Sequence, residues 1–265
     1  MVRQRDAIRV GRVGGRAAIL ATALLGMVAS GCSDDKGTPD DSSAPPPAAV
    51  ASGEASGAAA GTSPPPAAAP DGARITAVIA GTSLTAGLGL DPEEAYPAVL
   101  QRMADSAGLP VRVVNAGLSG ETSAGLLRRV EWLMQQPADL VVIETGANDG
   151  LRGFDVDSTK ANLGRIVRAV QQAQPAARIA LVQMEAPPNL GPDYTARFRA
   201  MYPEVAAETG VELFPFLLEG VAGVRALNQS DGIHPSAAGA RLVAATLWPG
   251  FAGAVRAVEA EAPGG

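Results

Sequence analysis

Four short stretches of this 265-residue sequence carry side chains suited to acyl transfer. AGTSLTAGLGL (80–90) presents Ser83 in a glycine-bounded turn, and NAGLSGETS (115–123) presents Gly120. ETGANDGLRGF (144–154) presents Asn148, and DGIHP (231–235) presents Asp231 and His234, the only histidine of the chain. A serine hydroxyl is a weak nucleophile and needs a base to take its proton as it attacks. An imidazole, with an ordinary pKa of about 6.5, accepts and returns a proton near neutrality. An aspartate three residues before it fits the carboxylate that fixes the imidazole tautomer and stabilises the imidazolium. The tetrahedral intermediate of such a reaction needs donors, and the N–H groups of Ser83 and Gly120 with the amide of Asn148 supply three. Each residue also has a plain structural use: serine caps helices, glycine makes turns with φ > 0, asparagine closes Asx-turns, and Asp231 could cap the last helix. It is their joint presence that points to chemistry.

The elements that must position them alternate along the chain. Runs rich in Val and Ile at 74–80, 111–115, 139–145, 178–184 and 211–214 predict strands apolar on both faces. Helical patterns cover 94–107, 123–136, 158–174, 193–208 and about 236–258. In the second of these Leu126, Val130, Leu133 and Met134 recur at helical spacing. Such alternation implies an α/β fold, a parallel sheet with helices on both faces. Five strands suit the flavodoxin-like order 2-1-3-4-5, in which ligands bind beyond the carboxyl ends of the strands. The stretches with Ser83, Gly120 and Asn148 follow predicted strands, and DGIHP precedes the last helix, with Pro235 expected in its first turn.

Taken in order, the four stretches resemble the four sequence blocks of the SGNH hydrolases, also called the GDSL esterase/lipase family. The similarity spans about 74–250 and is most evident to the bacterial thioesterase/lysophospholipase and arylesterase branch, in LSGETSAGLLRR, GANDGLRG and DGIHP. The resemblance implies a single three-layer α/β/α domain and a serine esterase that cleaves carboxylic esters or thioesters through an acyl-enzyme. By motif, Ser83 matches the nucleophile, Gly120 and Asn148 the oxyanion donors of the second and third blocks, and Asp231 with His234 the Asp-x-x-His pair. It further implies that 149–154 and 185–194 flank the acyl pocket, with Ala186 and Pro187 against the acyl chain. Short acyl or aryl esters are the first expectation, lysophospholipids or acyl thioesters the next. One position departs from the family: the first block reads GTSL, with Thr82 where aspartate is usual, so a negative charge is missing beside the nucleophile. The rival readings are a carbohydrate O-acetylesterase of the same fold and a non-catalytic binding lipoprotein; the intact residue set speaks against the second.

Residues 1–16 are arginine-rich and 17–30 (AAILATALLGMVAS) carry no charge. That run is short of the roughly 20 apolar residues of a membrane span and has the form of a secretory signal peptide. It ends in Ala29-Ser30-Gly31-Cys32, which resembles the lipobox of bacterial lipoproteins, although leucine is usual where Ala29 stands. Cys32 is the only cysteine and has no internal disulfide partner. The expectation is a signal peptide at 1–31, lipidation at Cys32, a Pro/Ala/Gly/Ser-rich linker over 32–72, and a folded domain over 73–265. The protein would then be exported and lipid-anchored to the cell envelope.

The composition excludes other classes. The net charge is −6, and since residues 1–31 are basic, the remainder is more acidic still and has no Lys/Arg cluster to neutralise phosphates, so no nucleic-acid partner is expected. A lone histidine, a lone cysteine and no HExxH leave no metal site, and no cofactor is called for. Ser83 lacks the G-x-S-x-G of an α/β-hydrolase elbow. Asp91, Glu93 and Glu94 read as a solvated loop and helix start, and Asp149 as a residue that organises its loop. With aromatics at only 4 %, the core should consist of Val, Leu, Ile and Ala.

Overall fold

Val- and Ile-rich segments buried on both faces form the centre of the molecule, whose computed structural model describes residues 75–261. The expected signal peptide, the expected lipidation at Cys32, the expected linker and the expected domain start at Ala73 lie outside the described residues. Strands β1 (Ile75–Gly81), β2 (Val111–Gly117), β3 (Leu140–Ile143), β4 (Arg178–Val182) and β5 (Glu212–Phe214) pair in parallel in the order β2-β1-β3-β4-β5. This is the 2-1-3-4-5 order expected. All four residues of β3 are buried, as a central strand covered by helices requires.

The long helices are α2 (Tyr96–Ser106), α3 (Ser123–Leu133), α5 (Val156–Ala173), α6 (Pro192–Thr209) and α7 (Ala237–Glu261). Helix α2 packs with α7, while α3 packs on α5 and α5 on α6, giving the two outer layers. Their starts follow capping chemistry: the Thr122 hydroxyl accepts from Gly125 N, and the Asp155 carboxylate from Ser158 N. Helix α6 buries Phe198, Met201, Tyr202 and Val205, one apolar stripe at helical spacing. Leu126, Val130, Leu133 and Met134 are buried likewise.

Three local differences from the expected elements matter for the site. Two short helices, α1 (Ser83–Ala86) and α4 (Ala147–Leu151), sit in what read as loops and carry Ser83 and Asn148. Strand β3 ends at Ile143, although Glu144 N still donates to Ala80 O of β1 at 2.8 Å. Pro235 is not in the last helix, which begins at Ala237. It pairs with Asn228 in an isolated antiparallel bridge, and Ser236 accepts the helix-capping bond from Gly239 N.

Candidate active site

Because β1 is followed by β2 on one side and β3 lies on the other, the chain turns opposite ways after β1 and β3. A crevice opens where the two diverge. Ser83 leaves β1 into α1, and Asn148 leaves β3 into α4, so the crevice has one of them on each lip. The register pairs Gly81 with Gly117, and Leu118 N donates to Gly81 O at 2.8 Å, which brings the 118–120 turn alongside the Ser83 turn. Gly120 has φ 77°, a conformation that favours glycine, and makes the backbone reversal there.

Ser83, His234 and Asp231 form one line of hydrogen bonds. His234 Nε2 lies 2.9 Å from Ser83 Oγ, and His234 Nδ1 lies 2.6 Å from Asp231 Oδ2. The other oxygen of Asp231 accepts from Ile233 N at 2.9 Å and His234 N at 3.0 Å, so the aspartate caps its own turn rather than the last helix. The bond to His234, then the two backbone donors, hold the Asp231 carboxyl down at about 2. An ionised carboxylate only accepts, so Nδ1 carries the proton and Nε2 presents its lone pair to the serine hydroxyl. Ser83 is buried, whereas the Asp231 side chain is 43 % exposed.

The histidine loop is tied back to the loop after Ser83 by Gln229. Its Nε2 donates to Leu88 O at 2.7 Å and to Pro235 O at 2.9 Å, and its backbone N donates to His234 O at 2.7 Å. Gly89 lets this happen, because a β-carbon there would overlap the Gln229 amide.

The candidate oxyanion donors are held by their surroundings. Asn148 Nδ2 donates to Glu121 O at 3.0 Å, which fixes the amide beside the Gly120 turn. Arg152 Nη2 reaches Gly120 O at 3.2 Å. Buried Asp149 accepts from Ser123 N at 2.8 Å and Ser123 Oγ at 2.6 Å, joining α4 to the start of α3, so it organises the loop as its sequence position suggested. Arg129 grips Glu121 through two nitrogens at 2.6 and 2.7 Å and also donates to Ala116 O at 2.9 Å. The N–H groups of Ser83 and Gly120 have no acceptor among the described residues, which leaves them available to an incoming oxyanion.

Beneath the serine lies a carboxyl that sequence reasoning passed over. Glu144, fully buried, accepts from Thr82 N at 2.8 Å, from the Thr82 hydroxyl at 3.1 Å and from the Thr85 hydroxyl at 2.8 Å. Tyr96 Oη is 2.7 Å from Thr85 Oγ1. Burial pushes the Glu144 carboxyl from 4.5 up to about 7, against the pull of its donors. The only signal in the sequence was an acidic residue at the carboxyl end of an apolar strand, VVIET.

A narrow apolar cleft runs from Ser83 and His234 past Leu84, Leu88, Leu217 and Leu218. Neither Ala186 nor Pro187 lines it. Ala186 instead sits behind the Asn148 helix, where a β-carbon on Gly150 would lie 3.4 Å from its Cα, and Pro187 precedes a 3₁₀ turn at Pro188–Leu190. Around the mouth, Leu88, Leu118, Phe154 and Ile233 on loops and Leu151 at the end of α4 are exposed apolar side chains. Among the described residues no cluster of His, Cys, Asp and Glu is arranged to hold a metal ion.

Residues 79–242 match the GDSL-like Lipase/Acylhydrolase family. Esterase TesA of Pseudomonas aeruginosa is 42 % identical over 176 residues, 66 % of this chain and 86 % of that protein. The thioesterase/protease/lysophospholipase of Escherichia coli is 40 % identical over 162 residues, 61 % of this chain and 76 % of that protein. The crystal structure of the psychrotrophic esterase EstA from Pseudoalteromonas, inhibited by monoethylphosphonate, superposes with a TM-score of 0.65. It is 35 % identical and covers 68 % of this chain and 98 % of its own.

Proposed function

This chain belongs to the GDSL-like lipase/acylhydrolase family and is a serine esterase; from that premise we propose that Ser83 is its nucleophile, His234 its base and Asp231 the carboxylate that orients the base. Ser83 Oγ attacks the ester carbonyl while its proton passes to His234 Nε2. The tetrahedral oxyanion is held by the N–H groups of Ser83 and Gly120 and the amide of Asn148. Collapse breaks the bond to the leaving group, which takes the proton from Nε2 and leaves an acyl-serine. Water, deprotonated by the same nitrogen, then releases the acid and restores Ser83. The observation that carries this reading is the unbroken line Ser83 Oγ, His234, Asp231 at 2.9 and 2.6 Å. A fluorophosphonate probe tests it. Folded wild type that fails to label sinks the assignment of a reactive serine, and labelling that persists in Ser83→Ala sinks Ser83 as its site.

The substrate class proposed is short acyl or aryl esters. The cleft beside Ser83 is lined by aliphatic side chains and is narrow, and the exposed rim around it is apolar. Those surroundings suit an acyl or aryl group better than a glycan, which speaks against the O-acetylesterase alternative. The E. coli relative carries thioesterase and lysophospholipase in its name, and acyl thioesters and lysophospholipids are the next substrates to try. Initial rates over p-nitrophenyl esters of graded chain length, beside a lysophospholipid and acetylated xylan, decide the order. Rates highest on xylan would overturn it.

We propose further that residues 1–31 are a lipoprotein signal peptide, that Cys32 is lipidated, and that 32–72 tether the domain from 73 onward to the cell envelope. The support is the charge and hydropathy order of 1–31 and the small residues before Cys32. Among the described residues no helix is long and apolar enough to cross a membrane. If Cys32→Ala leaves the protein processed and membrane-bound as before, the anchor assignment fails.

A further inference from the structure

We propose that Glu144 is the positioning carboxyl of the nucleophile turn, and that only its ionised form holds Ser83 in line with His234 and the oxyanion donors. The inference rests on the proposed reading of Ser83 as nucleophile. Thr82, the residue directly before Ser83, spends both its backbone N–H and its hydroxyl on this one carboxylate, at 2.8 and 3.1 Å. Thr85, two residues after Ser83, donates its hydroxyl to Glu144 Oε2 at 2.8 Å. The carboxylate therefore grips the turn on both sides of the nucleophile, from a strand end 62 residues away in sequence. No other side chain of the described residues donates to or accepts from both Thr82 and Thr85. The space is made by Gly81, where a β-carbon would overlap Thr85 Oγ1 and crowd Glu144 Oε2.

The direction of each bond makes the arrangement depend on charge. With Glu144 ionised, Thr82 and Thr85 both donate to it, Tyr96 donates to Thr85, and Thr82 Oγ1 remains free to accept from Leu84 N at 3.4 Å, its capping bond on α1. A proton on either carboxylate oxygen turns one acceptor into a donor, and a hydroxyl of Thr82 or Thr85 must rotate away. The turn that carries Ser83 Oγ and Ser83 N–H then loses a restraint, and misplacement on the order of 1 Å costs about 100-fold in rate. Titratable groups facing Glu144 are Tyr96 from α2 and Tyr202 from α6; burial first and the Glu144 charge second raise both well above 10, so they stay neutral phenols. Arg129 of α3, which reaches Gly81 O at 3.4 Å, is paired with Glu121. Burial, which places Glu144 at about 7, puts the change of state inside the working range of an esterase. Thr82, standing where the family's first block usually has aspartate, thus donates to a charge instead of bearing one.

The test is the pH profile of kcat and kcat/KM on p-nitrophenyl acetate for wild type, Glu144→Gln, Thr85→Val and Thr85→Ser, with Tm measured alongside. In wild type, the His234 ring must be neutral to act as base and Glu144 ionised to hold the turn, so kcat/KM rises with pH with a limiting slope that approaches 2. In Glu144→Gln the amide confronts a donor at every pH; kcat falls roughly 10- to 100-fold with KM nearly unchanged, and the limiting slope drops to 1, from His234 alone. Thr85→Val removes one donor to the ionised form, so the Glu144 step moves to higher pH, and Thr85→Ser restores it. A folded Glu144→Gln with wild-type kcat, or with the limiting slope unchanged, overturns the proposal. If Glu144→Gln does not fold, the Thr85 pair decides: a step that stays put in Thr85→Val overturns it, and one that rises and is restored by serine upholds it. Fluorophosphonate labelling separates the two layers, since an unlabelled wild type condemns the nucleophile assignment, whereas a labelled wild type with an indifferent Glu144 condemns this inference alone.

Discussion

Asp231 and Glu144 both bear on Ser83, one through His234 and the other through the neighbouring Thr82 and Thr85, and each accepts from three donor groups, yet their pKa values are displaced in opposite directions. Asp231 takes His234 Nδ1, Ile233 N and His234 N and is held down at about 2. Glu144 takes Thr82 N and two threonine hydroxyls and is pushed up to about 7. The number of hydrogen bonds cannot be the cause of the difference. Asp231 is on an exposed loop where water supplies most of the solvation, while Glu144 is fully buried at the carboxyl end of β3 and loses it. The exposed carboxylate is built from residues three apart, and the buried one from residues on two strands' ends. One half of the site is therefore a local turn that can be read off five letters, and the other a tertiary assembly.

The sharpest way to break the exposed half is at its chemistry. Ser83→Ala or His234→Ala should lower kcat about 10⁴-fold or more at unchanged Tm, read by p-nitrophenyl acetate hydrolysis beside thermal melting. Asp231→Asn leaves the geometry but lets the imidazole choose the wrong tautomer, and about 10²- to 10⁴-fold should be lost from kcat; a drop of less than tenfold would mean that solvent orients His234 as well as the aspartate does. Asn148→Ala should cost about 10²- to 10³-fold in kcat with little change in KM, measured over the same ester. The buried half shows itself in stability. Its folded pKa of about 7 lies above the ordinary 4.5, so the stability that Glu144 contributes is complete below 4.5 and is lost as pH rises through about 7. Chemical denaturation from pH 5 to pH 8.5 should show wild type losing about 3 kcal/mol relative to Glu144→Gln; parallel curves would place the carboxyl's titration outside that range. Smallest of all, Gln229→Ala should destabilise by about 1–3 kcal/mol and lower kcat only modestly, since it removes two bonds that tie the histidine loop to Leu88 and Pro235.

What was legible beforehand follows the same division. Val- and Ile-rich runs announced the strands because buried parallel strands need apolar residues on both faces, and the order of the five held. The DGIHP turn was legible because Asp231 and His234 interact across three residues. Pro235 misled because a proline before a helical pattern has two uses, and here it closes a bridge with Asn228 instead of opening the helix. The helices under Ser83 and Asn148 are four and five residues long, too short to leave a 3.6-residue period. Glu144 was invisible for a deeper reason. Inside VVIET it looks like one polar residue at a strand end, and its partners Thr82 and Thr85 meet it only once β1 and β3 lie side by side.

The solitary histidine also gives this site its own reporter. A chain of 265 residues with one imidazole yields one pair of ring-nitrogen resonances in a long-range ¹H–¹⁵N spectrum, and they belong to the ring bonded to Ser83 and Asp231. No assignment experiment is needed, and the protonation of that ring can be followed through a reaction cycle or in a membrane suspension. A polyhistidine purification tag would bury the signal, so the protein is better isolated by another handle.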